Sequence, residues 1–198
     1  MEGNARLTAL IGLLLLVLLF IEGITILRIR PLFPIHAFVG LLLVPPVLLK
    51  LASTGYRFVR YYTGSTSYRA AGPPRPIPRM IAPVLVASTI GLFSTGIVLL
   101  FVGPVGGEVW KQLHTLIFFV WFSVMAVHVL AYLGRTPRLA LADLGPQEDR
   151  GTSNLTAGRI TRQGLLVGSL LLGLALAIAL IPWDASWIHL LTRLRPER

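Results

Sequence analysis

The sequence predicts an all-α fold: an integral membrane bundle of five transmembrane helices, with a short interfacial C-terminal helix, forming one domain over 1–198. Three observations carry this expectation. Hydrophobic residues make up 55% of the chain and charged residues 13%, too oily for an ordinary soluble domain. Apolar runs at 7–27, 33–52, 80–102, 113–133 and 165–181 each approach the ~20 residues with which an α-helix crosses ~30 Å of hydrocarbon. The arginines crowd into the segments between those runs.

The first run exceeds the usual signal-peptide core and ends in no A-x-A-like cleavage site, so it reads as an uncleaved anchor. Glu22, near its outer end, reads more simply as a partner of Arg28 or Arg30 than as a proton-transfer group. The second run contains "VPPVLL". Pro45 and Pro46 remove two backbone donors in mid-membrane, which predicts a kink and freed carbonyls that something must cover. The following "STGYRFVRYYTGSTSYRAAGPPRPIPR" is rich in arginine and tyrosine and ends in prolines that exclude regular helix. After the fourth run, "GRTPRLALADLGPQEDRGTSNLTAGR" reads as a polar surface loop carrying Asp143, Glu148 and Asp149. After the fifth and shortest run, the tail over 184–198 sets Trp187, Ile188, Leu191 and Leu194 near one face, as an interfacial helix does, with His189 as a surface residue.

A net charge of +10 would suggest nucleic acid as a partner for a soluble protein; beside apolar spans it is a topology signal, so no nucleic-acid partner is expected. The N-terminus, segment 50–79 and segment 135–162 share twelve basic residues, and the opposite side has six. The N-terminus is therefore expected in the cytoplasm and the C-terminus outside. Trp110, Trp183 and Trp187 then fall at outer ends and Tyr56, Tyr61, Tyr62, Tyr68 and Tyr132 at inner ends. The absence of cysteine excludes disulfides, thiolate metal sites and a protein-held iron–sulfur cluster. No internal repeat, phosphate-binding glycine loop, HExxH motif or nucleophile elbow is present.

The chemistry lies in the histidines. In "KQLHTLIFFVWFSVMAVHVLAYL", His114 and His128 stand fourteen residues apart, about four helical turns and a rise of about 21 Å. They share one face at opposite depths, with Phe118, Trp121 and Met125 between them as packing residues, and cannot bind one ion. In "FPIHAFVGLLLVPPVLLK" the spacing repeats from His36 to Lys50. Because the second and fourth spans run in the same direction, His36 meets His114 at the outer depth and Lys50 meets His128 at the inner one. Two imidazoles facing across a gap suit haem, whose iron takes one nitrogen on each side of a flat apolar macrocycle. Gly40, one turn below His36, offers either haem clearance or close helix packing. Arg28 and Arg30 are candidate partners for haem propionates. Lys50 can snorkel to the interface, which favours one haem b, with a second, at Lys50 and His128, left open; His128 alone could instead bond a propionate, a quinone oxygen or a backbone carbonyl. The competing reading is a haem-free scaffold or transporter accessory with histidines as helix contacts or proton-relay groups.

"LHTLIFFVWFSVMAVHVL", "PIHAFVGLLL" and the basic aromatic loop resemble the bacterial membrane b-type cytochromes that anchor hydrogenases, formate dehydrogenases and related oxidoreductases, over roughly half the chain. The resemblance implies a bundle in the bacterial cytoplasmic membrane that carries one or two bis-histidine haems and passes electrons between quinone and a partner oxidoreductase. It implies that His36 and His114 match the outer haem pair and His128 one inner ligand, with Lys50 where a fourth histidine would stand. "STGYRFVRYYTG" is similar to small membrane cytochromes of actinobacterial style that are associated with molybdenum-cofactor oxidoreductases.

Overall fold

The computed structural model describes residues 2–70, 76–132 and 153–193. Its elements are α1 (Glu2–Leu27), α2 (Ile29–Tyr62), α3 (Thr66–Ala70), α4 (Pro76–Gly106), α5 (Glu108–Tyr132), α6 (Ser153–Leu180), a 3₁₀ turn (Ile181–Asp184) and α7 (Ala185–Arg193). No strand occurs among the described residues. Five helices, α1, α2, α4, α5 and α6, are long and apolar enough to cross a membrane, so the chain is an all-α, multi-pass bundle.

The helices outrun the apolar segments. α1 and α2 form an antiparallel hairpin with Arg28 alone between them, where a longer loop before residue 33 was expected. Pro31 falls in the first turn of α2, where its missing N–H costs nothing. α2 has 34 residues, which span about 51 Å at 1.5 Å each. It therefore carries the arginines and tyrosines of 56–62 outward as helix, not as the expected loop. Pro76 and Pro78 likewise open α4, because the first turn tolerates them; the rest of the proline cluster, 71–75, lies outside the described residues, as does most of the acidic loop.

The freed carbonyl expected at Pro45-Pro46 is present, and a neighbouring helix covers it. α2 continues without a break, and both prolines are buried. Without an N–H on Pro46 the Leu42 carbonyl lacks its helical donor, and α6 covers it: a Cβ built on Gly173 would collide with the Leu42 oxygen, so only glycine permits this approach. α4 does break. Gly103 has φ 70°, a conformation glycine adopts freely, and Pro104 follows. On the turn before that break the Leu99 carbonyl accepts a hydrogen bond from Trp187 Nε1 at 2.9 Å. Trp183 packs edge-on against Phe101, and Trp187 meets Phe33. The tail expected over 184–198 thus begins as a 3₁₀ turn and then packs as α7 on the N-terminal end of α2 and the C-terminal end of α4, with His189 exposed and 194–198 outside the described residues.

α2 is the central helix. It packs along α1 and α6, and α4 pairs with α5. Ile11, Leu15, Val39 and Leu43 form one core between α1 and α2, and Leu41, Leu100 and Ala177 form another joining α2, α4 and α6. α5 packs closely on α4 alone and exposes Leu116, Phe119 and Leu130 at 62–72% of their surfaces, an apolar face suited to lipid chains. Gly173→Val should cost about 1–3 kcal/mol, because the added carbons have no room against the Leu42 carbonyl. Thermal unfolding in detergent checks this, and an unchanged midpoint would mean that α2 and α6 are not in close backbone contact.

Candidate cofactor site between two histidines

His36 and His114 lie on α2 and α5, which do not pack closely on each other, yet their imidazoles stand within electrostatic range. Each ring is held from behind by a threonine of its hairpin neighbour. Thr95 of α4 places Oγ1 2.9 Å from His114 Nδ1. Thr25 of α1 places Oγ1 2.9 Å from His36 Nδ1. Both threonines are buried, at 4% and 2% exposure.

These contacts set the tautomer. A hydroxyl has one proton, and Thr25 Oγ1 donates it to the Glu22 carbonyl at 2.6 Å. Thr95 Oγ1 donates its own to the Gly91 carbonyl at 2.8 Å. With those protons on the carbonyls, each oxygen accepts from the imidazole, the arrangement in which Nδ1 carries the proton and Nε2 keeps its lone pair. Glu22 adds a second acceptor, with Oε1 2.9 Å from His36 Nδ1. A ring with Nδ1–H bonded behind and Nε2 bare in front is the state in which histidine ligates a metal.

Small residues make room for this arrangement. A Cβ on Gly96 would lie 3.3 Å from His114 Cε1, and one on Gly40 would lie 3.5 Å from Glu22 Oε1. Gly96 is thus the tighter of the two, whereas a Cβ on Gly40 would make only ordinary contact with the carboxylate behind His36. The expected pairing of Glu22 with Arg28 or Arg30 does not form: Glu22 turns inward to His36, leaving Oε2 buried without a hydrogen-bond partner, and both arginines stand exposed at the α1–α2 turn. Trp121, on the stripe between His114 and His128, is buried and donates Nε1 to Thr89 Oγ1 at 3.0 Å, which fastens α5 to α4.

At the inner depth Lys50 and His128 also come within electrostatic range. Their setting is different. Lys50 Nζ donates to the Thr8 carbonyl of α1 at 2.6 Å, and His128 stacks obliquely on Tyr132 with no hydrogen bond among the described residues. No group of three or more metal-binding side chains occurs among the described residues, but haem requires only one imidazole on each side. The residues around His36 and His114 fit that group: two rings within electrostatic range, no hydrogen bond to either Nε2 among the described residues, and helices that do not pack closely on each other. Thr25, Thr95 and Gly96 carry much of this geometry and were not singled out in the sequence; only the antiparallel register of the two hairpins could have drawn attention to them.

Comparison of the chain with family models, with curated proteins and with solved structures finds no match in any of the three. The tautomer assignment has a direct test. In haem-free protein carrying ¹⁵N-histidine, His36 and His114 should give the Nδ1–H pattern, and Thr95→Val should let His114 populate the other tautomer. A dominant Nε2–H signal from both rings in the parent would contradict the assignment.

Proposed function

We propose that the chain is a b-type cytochrome subunit that carries one haem between His36 and His114 and passes electrons between membrane quinone and a partner oxidoreductase. The observation that supports this best is the matched pair of threonine–Nδ1 hydrogen bonds, which leave Nε2 of each ring without a hydrogen bond among the described residues, on two helices that do not pack closely on each other. Haem would supply the one-electron carrier. The chain's own residues do the rest. His36 and His114 would hold the haem between them, and with both imidazoles engaged the iron would be closed to oxygen. Thr25 and Thr95 hold the rings in one tautomer and orientation. The Glu22 carboxylate behind His36 makes that imidazole the stronger electron donor of the two. Arg28 and Arg30, exposed at the outer turn, are placed to meet propionates.

The setting proposed is the bacterial cytoplasmic membrane, with the N-terminus inside, the C-terminus outside and the partner enzyme, of molybdenum-cofactor type, on the outer face. The imbalance of basic residues supports this orientation. One haem is favoured over two because Lys50 already spends a donor on Thr8 and His128 lacks a partner like those of the outer histidines.

A reduced-minus-oxidised spectrum of the purified protein should show the sharp α band of a b-type cytochrome, and pyridine haemochrome should give about one haem per chain. His36→Ala and His114→Ala should each abolish that haem while the protein still reaches the membrane. A parent with no α band, or full haem content in either variant, would overturn the proposal. A reporter fused after Arg198 should work only if its activity requires the outer compartment.

A further inference from the structure

The inner level repeats the outer one in position but not in chemistry. Lys50 is tied back to α1 through a compact polar network: its Nζ donates to the Thr8 carbonyl, Thr8 Oγ1 meets Ser53 Oγ, Ser53 Oγ donates to Asn4 Oδ1 at 2.8 Å, and Asn4 Nδ2 donates to the Ser53 carbonyl at 3.2 Å. The network fixes the lysine head but uses one of its three protons, and among the described residues no carboxylate pairs with it. Across the gap His128 has no hydrogen bond among the described residues. The reason is the register of α4. That helix runs antiparallel to α5, so descending from His114 to His128 carries it from Thr95 back to Ile81, which has no acceptor to offer. The inner histidine therefore lacks the hydrogen bond that fixes both outer ones as ligands, and the lysine is held as a donor.

A cation with two unused N–H groups, and within its electrostatic range an imidazole with no hydrogen bond among the described residues, would be satisfied by an uncharged body that carries oxygen acceptors. A quinone ring has that chemistry. Its carbonyl oxygens accept from ammonium and imidazole, its faces are apolar, and its isoprenoid tail can leave toward lipid past the exposed apolar face of α5. We infer that Lys50 and His128 form the head-group site for a membrane quinone, with Asn4, Thr8 and Ser53 as the scaffold that positions the lysine. This inference rests on the reading of the chain as a quinone-linked cytochrome and supplies the location of the quinone. The site lies about 21 Å along α5 from the outer histidine level, by fourteen residues of helical rise.

The test uses the full-length, haem-loaded protein in nanodiscs of zwitterionic lipid, titrated with a short-tailed naphthoquinone and followed by calorimetry. The parent should bind saturably. Lys50→Met and His128→Phe should each weaken binding about tenfold or more, the loss expected for removing a hydrogen bond from a charged or imidazole donor. Haem content should stay at about one per chain in both. His128→Phe breaks no described hydrogen bond, so it carries the test if Lys50→Met fails to fold. Unweakened binding in His128→Phe, or a second haem that vanishes in either variant, would overturn the inference. A parent that binds quinone in this way but holds no haem would leave the inner site standing and remove the cytochrome reading instead.

Discussion

Inside a bilayer a polar atom without a partner has no water to fall back on, and most of this structure follows from that constraint. The Leu42 carbonyl, stripped of its donor by Pro46, is met by the bare backbone of Gly173. The Leu99 carbonyl, beside the break at Gly103, is met by Trp187. Trp121 finds Thr89, and the two outer histidines find Thr95 and Thr25. The atoms left over then become informative. Among the described residues they are Nε2 of His36 and His114, two protons of Lys50, the His128 ring, one oxygen of Glu22 and, apart from these in the 3₁₀ turn, one oxygen of Asp184. Most of them gather at the two levels shared by α2 and α5, which is why the cofactor reading is placed there.

The fold was legible in the sequence where hydrophobicity decides it. Five apolar runs became five long helices, because a run of that length can do little else in lipid. Element ends were less legible. The arginines and tyrosines of 56–62 read as loop, but they have no intrinsic objection to helix and merely continue α2 past the apolar segment. The prolines misled at one place. Pro76 and Pro78 start a helix where none was expected, whereas Pro45-Pro46 frees a carbonyl as expected, and α6 supplies the cover that a lone helix would lack.

The candidate site was half legible. The fourteen-residue spacing together with the expected five-span topology paired His36 with His114 and Lys50 with His128, and each pair does lie within electrostatic range. The threonines stayed hidden because threonine is commonplace in membrane helices, where its hydroxyl bonds back to its own carbonyls. Only the packed hairpins show that two such hydroxyls also face an imidazole. Glu22 illustrates the limit of sequence proximity: Arg28 and Arg30 are its nearest charges along the chain, but both stay at the exposed turn, whereas His36 sits on the buried side of the same hairpin.

The packing adds a consequence for assembly. α2 is locked between α1 and α6 by buried aliphatic side chains, whereas α5 is fastened mainly to α4, and that hairpin meets the rest of the bundle chiefly at its outer end, through α2, the 3₁₀ turn and α7. A flat group bridging His36 and His114 would therefore do more than carry electrons: it would join two halves that share little direct contact. Anything that binds only the closed arrangement stabilises it in proportion to the logarithm of its concentration over its dissociation constant. On the haem reading, the cofactor would strengthen a junction that the Leu41, Leu100 and Ala177 core already makes at one end. With the imidazoles held by threonines in the absence of ligand, little of the binding energy would go into reorienting them.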